Sequence, residues 1–479
     1  DPKGVSFFLT ANNSFVKNFN YCISLVTFVI QLERMKTILI LGAGLSASSM
    51  IRYLLEHAQV HNWQLRVTDQ NLEMVQRKLG DHPNATALNF NALDPKERRP
   101  EIERADLVIS MLPARFHPEV AKDCVDYKKD LITPSYISPE MRELDEKARK
   151  AHIVIMNEIG VDPGIDHMSA MKIIHEIKEN GGELTAFRSF CGGLIAPESD
   201  DNPWNYKFTW NPRNVILAGQ GGASCFLDHD EYKYIPYNRL FGRLARVSIP
   251  GYGEFDGYAN RDSLSYRKTY GLEGIPTIYR GTFRRPGFCQ AWNIFIELGM
   301  TDDSYKMDHS ETLTPRNFIN AFLPYKENRS VEDKFRDFLR EDRIDLFDKF
   351  EWLGLFEGED LIGVSDASPA QLLEQILTRK LVLGPDDKDM LVMYHEFEYT
   401  QGGKHYFATS SMVNIGEDQT FTSMSNTVGL PVAIAAKMIL TGQLTRKGVT
   451  LPIYKEIYEP ILAELEEFGI RFKEEKKEL

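Results

Sequence analysis

With 479 residues the chain is too long for one core, which rarely outgrows about 250–300 residues, so two or three domains are expected. A hydrophobic share of 43% and a charged share of 26% are globular values, and the formal charge of −13 excludes a nucleic-acid binder, which needs a basic footprint. Five cysteines, odd in number and without CxxC spacing, point to reduced thiols in a cytoplasmic protein and give no metal site.

Residues 1–34 precede the first domain. The apolar run "YCISLVTFVIQL" (21–32) is too short to span a bilayer and no small-x-small cleavage site follows it, so no membrane partner is expected. Met35 stands directly before a strand, and 1–34 are expected to lie outside the fold.

"KTILILGAGLSASSMIRYLLEHA" (36–58) reads as a buried strand, a glycine turn and an amphipathic helix. Gly42, Gly44 and Ala47 form a G-x-G-x-x-A pattern with Leu45 and Ser46 between them. Gly42 permits the tight turn, Gly44 lets backbone approach a pyrophosphate, and Ala47 lets helix pack on strand. The helix start supplies N–H groups and a positive dipole end. The second strand, "WQLRVTDQN" (63–71), ends in Asp69, placed where a carboxylate binds a ribose 2′-OH and repels a 2′-phosphate. Gln70 and Asn71 follow in place of an arginine, so NAD(H) is expected, with NADP(H) the alternative; Asp69 as a plain strand-end cap is the bland reading.

The rhythm continues through "ADLVISMLP" (105–113), "KDLITPSYIS" (129–138) and "AHIVIMNEIGVDPG" (151–164). Strands alternating with helices predict a Rossmann-type, doubly wound parallel sheet in an α/β fold. Ligands then meet the strands' C-terminal ends, at Pro113, Ser135, Tyr136 and the Glu158–Gly164 segment, which includes Asp162, Pro163 and Gly164.

Beyond residue 161, "LTAFRSFCGG", "RLARVSIPG", "GTFRRPGFCQAW" and "DMLVMYHEFEY" are strand-like, predicting an α+β domain with a mixed or antiparallel sheet. "CGGLIAPESDDNPWNYKFTW" (191–210) is too polar for a core strand and too aromatic for a linker, and is expected to be a ligand-wrapping loop. Residues 290–385 turn helical: Val331, Phe335, Phe338 and Leu339 share a helical face, and "SPAQLLEQILTRKLVLG" opens on a serine cap and ends in glycine. The closing "EEKKEL" is expected to be a solvated charge run.

"NEIGVDPGIDHMSAMK" (157–172) followed by "CGGLIAPE…NPWNYKFTWNPR" (191–213) resembles the saccharopine reductase family, the glutamate-forming saccharopine dehydrogenases. "SMLPARFHPEV", "TPSYISPEMREL", "IPGYGEFDGYANRDS", "YRGTFRRPGF", "FEWLGLF" and "NTVGLPVAIAAKMILTG" extend the resemblance from about Met35 to the C-terminus. It implies that saccharopine, a small molecule with three carboxylates, is interconverted with glutamate and 2-aminoadipate 6-semialdehyde in lysine metabolism by a homodimer. It further implies that the apolar helix starting near Thr427 returns to the dinucleotide domain. The expected division is thus 35–160 with 425–479, 161–289 with 386–424, and 290–385.

The same resemblance implies that Arg261 and the Thr282–Phe283–Arg284 segment hold carboxylates. Ser135 and Tyr136 would meet substrate and cofactor, Asp162–Gly164 and Cys191 would line the cleft, and Thr427 would face it. Bland readings stand beside each: Arg261 as a solvated surface residue, Asp162–Gly164 as a turn, Asp166 as a helix cap, His167 and Cys191 as packed and inert. The general acid/base is not singled out; Asp162 and Tyr136 lead, with Cys191 and His167 behind them. Two other functions stay open: an imine reductase such as carboxynorspermidine dehydrogenase, and a non-catalytic dinucleotide-binding protein.

Overall fold

The computed structural model describes residues 34–479, so all but the last residue of the expected 1–34 extension lies outside the described residues. Six short strands, β1 (Lys36–Leu41), β2 (Trp63–Thr68), β3 (Ala85–Leu88), β4 (Leu107–Ser110), β5 (Asp130–Ile132) and β6 (Val154–Met156), alternate with helices. They pair in parallel in the order β6-β5-β4-β1-β2-β3, and a late strand, Gly448–Thr450, joins beside β6. The near-continuous apolar sequence of β1 follows from burial on both faces: Ile38 and Ile40 enter one core, Leu39 and Leu41 the opposite one.

The second sheet contains β7 (Glu183–Ile195), β8 (Ser224–Asp228), β9 (Glu231–Ile235), β10 (Leu244–Ile249), β11 (Gly253–Ala259), β12 (Thr277–Arg284), β13 (Asp389–Gln401) and β14 (Lys404–Ile415). β12 runs parallel to β7, while β13 and β11 are antiparallel neighbours, so the sheet is mixed. Helix Ile165–Glu179 covers one face, sharing a core with Phe187 and Phe397, and Phe190, Phe255 and Phe283 fill a separate core on the other face. Between β12 and β13 lie the helices Phe288–Leu298, Pro315–Ala321, Val331–Leu339, Phe347–Trp352 and Pro369–Thr378, gathered on an aromatic core. Ser368 closes a capping box with Gln371 at the last of these.

Helix Ser423–Leu440 returns to the first sheet, where Ser425 and Asn426 meet the Ser49 hydroxyl at 3.0 and 2.6 Å. It is long and apolar enough to cross a membrane by composition, but 89% of it is buried inside the protein, the mark of a core helix.

Three local expectations are corrected. The strand expected over "LTAFRSFCGG" runs on to Ile195 as β7, so 191–195 are not part of a loop; Phe283 lies across the strand and only glycine fits at Gly192, where a Cβ would meet the Phe283 side chain at 2.7 Å. The aromatics Trp204, Tyr206 and Phe208 that follow pack their rings into the core of the helical layer. "GTFRRPGFCQAW" is strand only to Arg284; Pro286 lacks the N–H to continue the ladder, and a helix begins at Phe288. The terminal charge run is exposed as expected, yet Lys473–Glu478 forms an edge strand on β14, where Lys476 lies 4.3 Å above the Tyr406 ring.

Candidate active site

The glycine turn leaves β1 as the motif requires. Gly42 has φ of +98°, and a Cβ there would meet the Met111 backbone at 3.1 Å; at Gly44 a Cβ would meet nothing within 4 Å. The turn is therefore tight on its inner side and open on its outer side, which fits an approaching pyrophosphate. Leu45 is exposed and Ala47 buried, with Ser46 between them. Pro113 is exposed at the mouth beyond β4. Helix Ser423–Leu440 abuts the turn at Gly429, where a Cβ would lie 3.0 Å from the Ser46 carbonyl oxygen and 2.9 Å from the Met50 nitrogen.

Asp69 stands at the end of β2 with both oxygens engaged by backbone: Oδ2 accepts from Ala43 N–H at 2.7 Å and Oδ1 from Asn71 N–H at 3.2 Å. Gln70 beside it is exposed. Across the same turn, Lys78 Nζ donates to the carbonyl oxygens of Ala43 and Gly44 at 2.8 and 2.7 Å, and burial pulls its pKa down to about 8.

At the junction of the two sheets a buried cluster forms. Arg280 Nη2 donates to Asp162 Oδ1 at 2.6 Å, to Asp166 Oδ2 at 2.8 Å and to the Tyr136 hydroxyl oxygen at 3.2 Å. The Tyr136 hydroxyl donates to Asp162 Oδ1 at 2.6 Å, and the guanidinium lies 4.3 Å over the Tyr266 ring. The scaffold is local: Asp166 Oδ1 accepts Gly164 N–H at 2.6 Å, and a Cβ on Gly164 would fall 2.0 Å from the Gly160 oxygen, so that turn admits only glycine. Behind it Glu158 and Tyr270 hold the two nitrogens of His167 at 2.8 and 2.5 Å. His117 holds Ser135 Oγ at 2.8 Å and Thr133 Oγ1 at 2.8 Å.

Burial sets the electrostatics. It holds the Asp162 carboxyl above its ordinary pKa against the pull of Arg280, with Asp166 adding to the rise, and it lifts Tyr136 well above the phenol range. Burial alone would lift Glu158, but the His167 and Ile137 hydrogen bonds keep it below the usual carboxylate range. Burial alone would lower His167, and Asp166 and Glu158 outweigh it, so that imidazole stays charged more readily than usual. His117 is pushed down to about 4 by burial and is neutral at working pH. Burial drives the Cys191 thiol far up, which leaves it a neutral lining group.

Alternation along β12 sorts the expected substrate residues. Arg280, Thr282 and Arg284 share the face of β12 opposite Phe283, which stacks on Phe190 at 5.0 Å on the far side and is fully buried there. Arg284 is 4% exposed and has no ion pair among the described residues. Its Nη1 donates to Phe283 O at 2.8 Å, its Nε has no partner, and the rings of Tyr206, Tyr258 and Phe288 stand 5.3–5.7 Å away. The Tyr206 hydroxyl is likewise buried without a partner. Arg261 is exposed, with its guanidinium 5.9 Å from the Tyr136 ring. Thr427 is fully buried, and its hydroxyl donates to Ser423 O at 2.8 Å. The arrangement brings Tyr136 and Asp162 to Arg280, sets Cys191 opposite Thr282 on the neighbouring strand, and turns Phe283 to the far face of β12.

Arg280 is the residue that sequence reasoning missed. Its place two residues before Thr282 and four before Arg284 was a signal, since period two on a strand puts all three on one face. Asp166 and His167, read as cap and packing, prove to be parts of the same buried charge network.

The chain matches two family models, the saccharopine dehydrogenase NADP binding domain over residues 38–156 and the saccharopine dehydrogenase C-terminal domain over 160–470. It is 34% identical over 451 residues to the saccharopine dehydrogenase [NADP(+), L-glutamate-forming] of Saccharomyces cerevisiae, covering 92% of this chain and 99% of that one. The mitochondrial alpha-aminoadipic semialdehyde synthase of Rattus norvegicus is 34% identical over 447 residues, and the chain spans 47% of its length. A solved structure, the apo saccharopine dehydrogenase (L-Glu forming) from Saccharomyces cerevisiae, superposes with a TM-score of 0.81 at 32% identity, covering 92% of this chain and 100% of that one. These findings overturn the expectation of NAD(H) from Asp69: the matching domain model is NADP-binding and the yeast relative is named for NADP(+). In the turn each oxygen of Asp69 accepts one backbone N–H group, and a cation absent from the residues directly after Asp69, Lys78, stands at the end of the next helix with its ammonium on Ala43 O.

Proposed function

The chain belongs to the saccharopine dehydrogenase family, and we propose that it interconverts saccharopine with L-glutamate and 2-aminoadipate 6-semialdehyde using NADP(H), within lysine metabolism. The observation that carries this reading is Arg284: a buried guanidinium without a carboxylate partner among the described residues, on the face of β12 that also bears Arg280. A buried, unpaired cation is costly, and a substrate carboxylate is the group that would complete it. The partner-less Tyr206 hydroxyl beside it offers a further donor. Thr282, between the two arginines, adds a hydroxyl to the same face, and exposed Arg261 meets a second carboxylate near Tyr136.

The nicotinamide, when bound, supplies the hydride acceptor or donor. Gly42, Gly44, Leu45, Ser46 and Ala47 would cradle its pyrophosphate, and Pro113, Ser135 and the Asp162–Gly164 turn would line the way to the substrate. The Tyr136 hydroxyl donates to Asp162 Oδ1 at 2.6 Å, and burial keeps Asp162 basic enough to take a proton from the secondary amine, with Tyr136 as the contact. After the carbon–nitrogen bond becomes an imine, the same pair directs water to that carbon and returns the proton to the departing glutamate nitrogen. Arg280 fixes the carboxylate, and the Glu158–His167–Tyr270 chain fixes the helix that carries Asp166. Cys191 shapes the wall. Residence as a homodimer in the cytoplasm belongs to the same proposal.

The test is the initial rate of saccharopine oxidation with NADP and NAD in parallel, with glutamate and the semialdehyde identified as products. Turnover with NADP supports the reading. Tight dinucleotide binding with no turnover in either direction would favour the non-catalytic alternative, and turnover of carboxynorspermidine alone would favour the polyamine imine, which the relatives above do not favour.

A further inference from the structure

The geometry points to Lys78 as the residue that selects NADP(H), by placing its ammonium against the 2′-phosphate of the adenosine ribose. This rests on the NADP(H) reading above and goes beyond it by naming the recognising group in this chain.

Ala43, at the crest of the glycine turn, is bracketed by opposite charges. Its N–H donates to Asp69 Oδ2 at 2.7 Å, and its C=O accepts from Lys78 Nζ at 2.8 Å. The ammonium makes its second bond to Gly44 O at 2.7 Å, so both of its hydrogen bonds go to neutral carbonyls and one of its three N–H donors is left over. A carboxylate at the end of the second strand marks where the adenosine ribose lies. Here each oxygen of that carboxylate accepts one backbone N–H, which fixes its place at the edge of the turn. A 2′-phosphate at the same place needs a nearby cation to offset Asp69. Gln70 and Asn71 supply none, and the Asn71 side chain is occupied in capping helix Leu72–Leu79 through Met74 N–H at 3.0 Å. Lys78, near the end of that helix, reaches back to the turn. Half-burial lowers its pKa to about 8, so an anion beside it would keep it charged. The turn is open outward at Gly44, where a Cβ would meet nothing within 4 Å.

The alternative roles are a contact to the pyrophosphate and a mere tether of the turn. Titration calorimetry with 2′,5′-ADP and with 5′-ADP separates them, because the two probes differ in the 2′-phosphate. The wild-type protein is expected to prefer 2′,5′-ADP. Lys78→Met is expected to weaken 2′,5′-ADP by about 10- to 100-fold, the worth of one charge-assisted bond, and to leave 5′-ADP within about threefold. Lys78→Arg, which keeps the charge, should retain the preference and serves if the methionine variant does not fold. An equal loss of both probes in Lys78→Met, or no loss of either, would overturn the assignment, as would a Lys78→Arg protein without preference. A wild-type protein indifferent to the 2′-phosphate would overturn the NADP(H) reading itself, and this assignment with it.

Discussion

Arg280 and Arg284 occupy the same face of one strand, two positions of the alternation apart, and the same substitution should affect them in opposite ways. Arg280 neutralises Asp162 and Asp166, both buried, at 2.6 and 2.8 Å. Arg280→Met leaves two buried carboxylates with only the His167 imidazole, 3.6 Å from Asp166, as countercharge, a change worth roughly 3–5 kcal/mol of lost stability. Arg284 has no carboxylate to abandon. Its burial as a lone cation costs several kcal/mol, offset by one bond to Phe283 O and by three ring faces at roughly 0.5–2 kcal/mol each. Arg284→Met removes cost and offset together while keeping an apolar stem of similar length, so stability should stay within about 1 kcal/mol of wild type or rise.

The functional effect inverts the order of caution. Loss of a desolvated guanidinium–carboxylate contact costs about 2–5 kcal/mol, so kcat/KM for saccharopine should fall on the order of 10²- to 10³-fold in Arg284→Met, mostly through KM. Urea unfolding of both variants and saccharopine kinetics of Arg284→Met make the measurement. An Arg284→Met protein destabilised by more than about 3 kcal/mol with KM unchanged would refute the reasoning, since Arg284 would then be a structural cation.

Three further outcomes are expected. Asp162→Asn should lower kcat by about 100-fold and flatten the acidic limb of its pH profile, as loss of a positioned base does; a rate near wild type across the pH range would remove Asp162 from that role. Asp389 is held up to about 6 by burial, despite accepting Ser423 and Met424 N–H at 2.5 and 2.9 Å. Its folded pKa exceeds the unfolded value of about 3.9, so it contributes stability below that value, lost as pH rises through about 6, up to roughly 3 kcal/mol in all. The difference in urea midpoints between pH 4.5 and pH 7 should therefore shrink in Asp389→Asn, and an unchanged difference would count against it. Gly429→Ala should destabilise by roughly 1–3 kcal/mol and weaken NADP(H) binding, because its Cβ would press on Ser46 O and Met50 N within 3.0 Å; a helix-propensity gain in its place would show that the contact relaxes freely. Thermal melts with and without NADP(H) read both effects.

The first sheet was legible because each of its signals is local: an apolar run, a glycine turn, a polar strand end. The helical layer was legible for the same reason, since Phe335 and Leu339 turn inward as their spacing says, with Val331 and Phe338 half-buried beside them. What escaped was whatever depends on a partner distant in sequence. "CGGLI" reads as a loop until Phe283 is laid across Gly192, a contact between residues about ninety positions apart. Asp166 reads as a helix cap and is one, through Gly164 N–H; only β12, more than a hundred residues later, brings Arg280 to its second oxygen.

The same limit explains the error over the cofactor. Reading Asp69 as a selector of NAD(H) weighed the residues that follow it in sequence, where no cation stands. The turn is a three-dimensional object closed by a helix, and the cation enters from that helix's far end, two turns on from Asn71. A carboxylate at a strand end therefore decides cofactor choice only when no ammonium faces it. In this chain Ala43 holds Asp69 through its N–H and Lys78 through its carbonyl oxygen, so the two charges meet at one residue. Charge at a ligand site is a property of the whole rim, and along a chain that doubles back the rim is not contiguous.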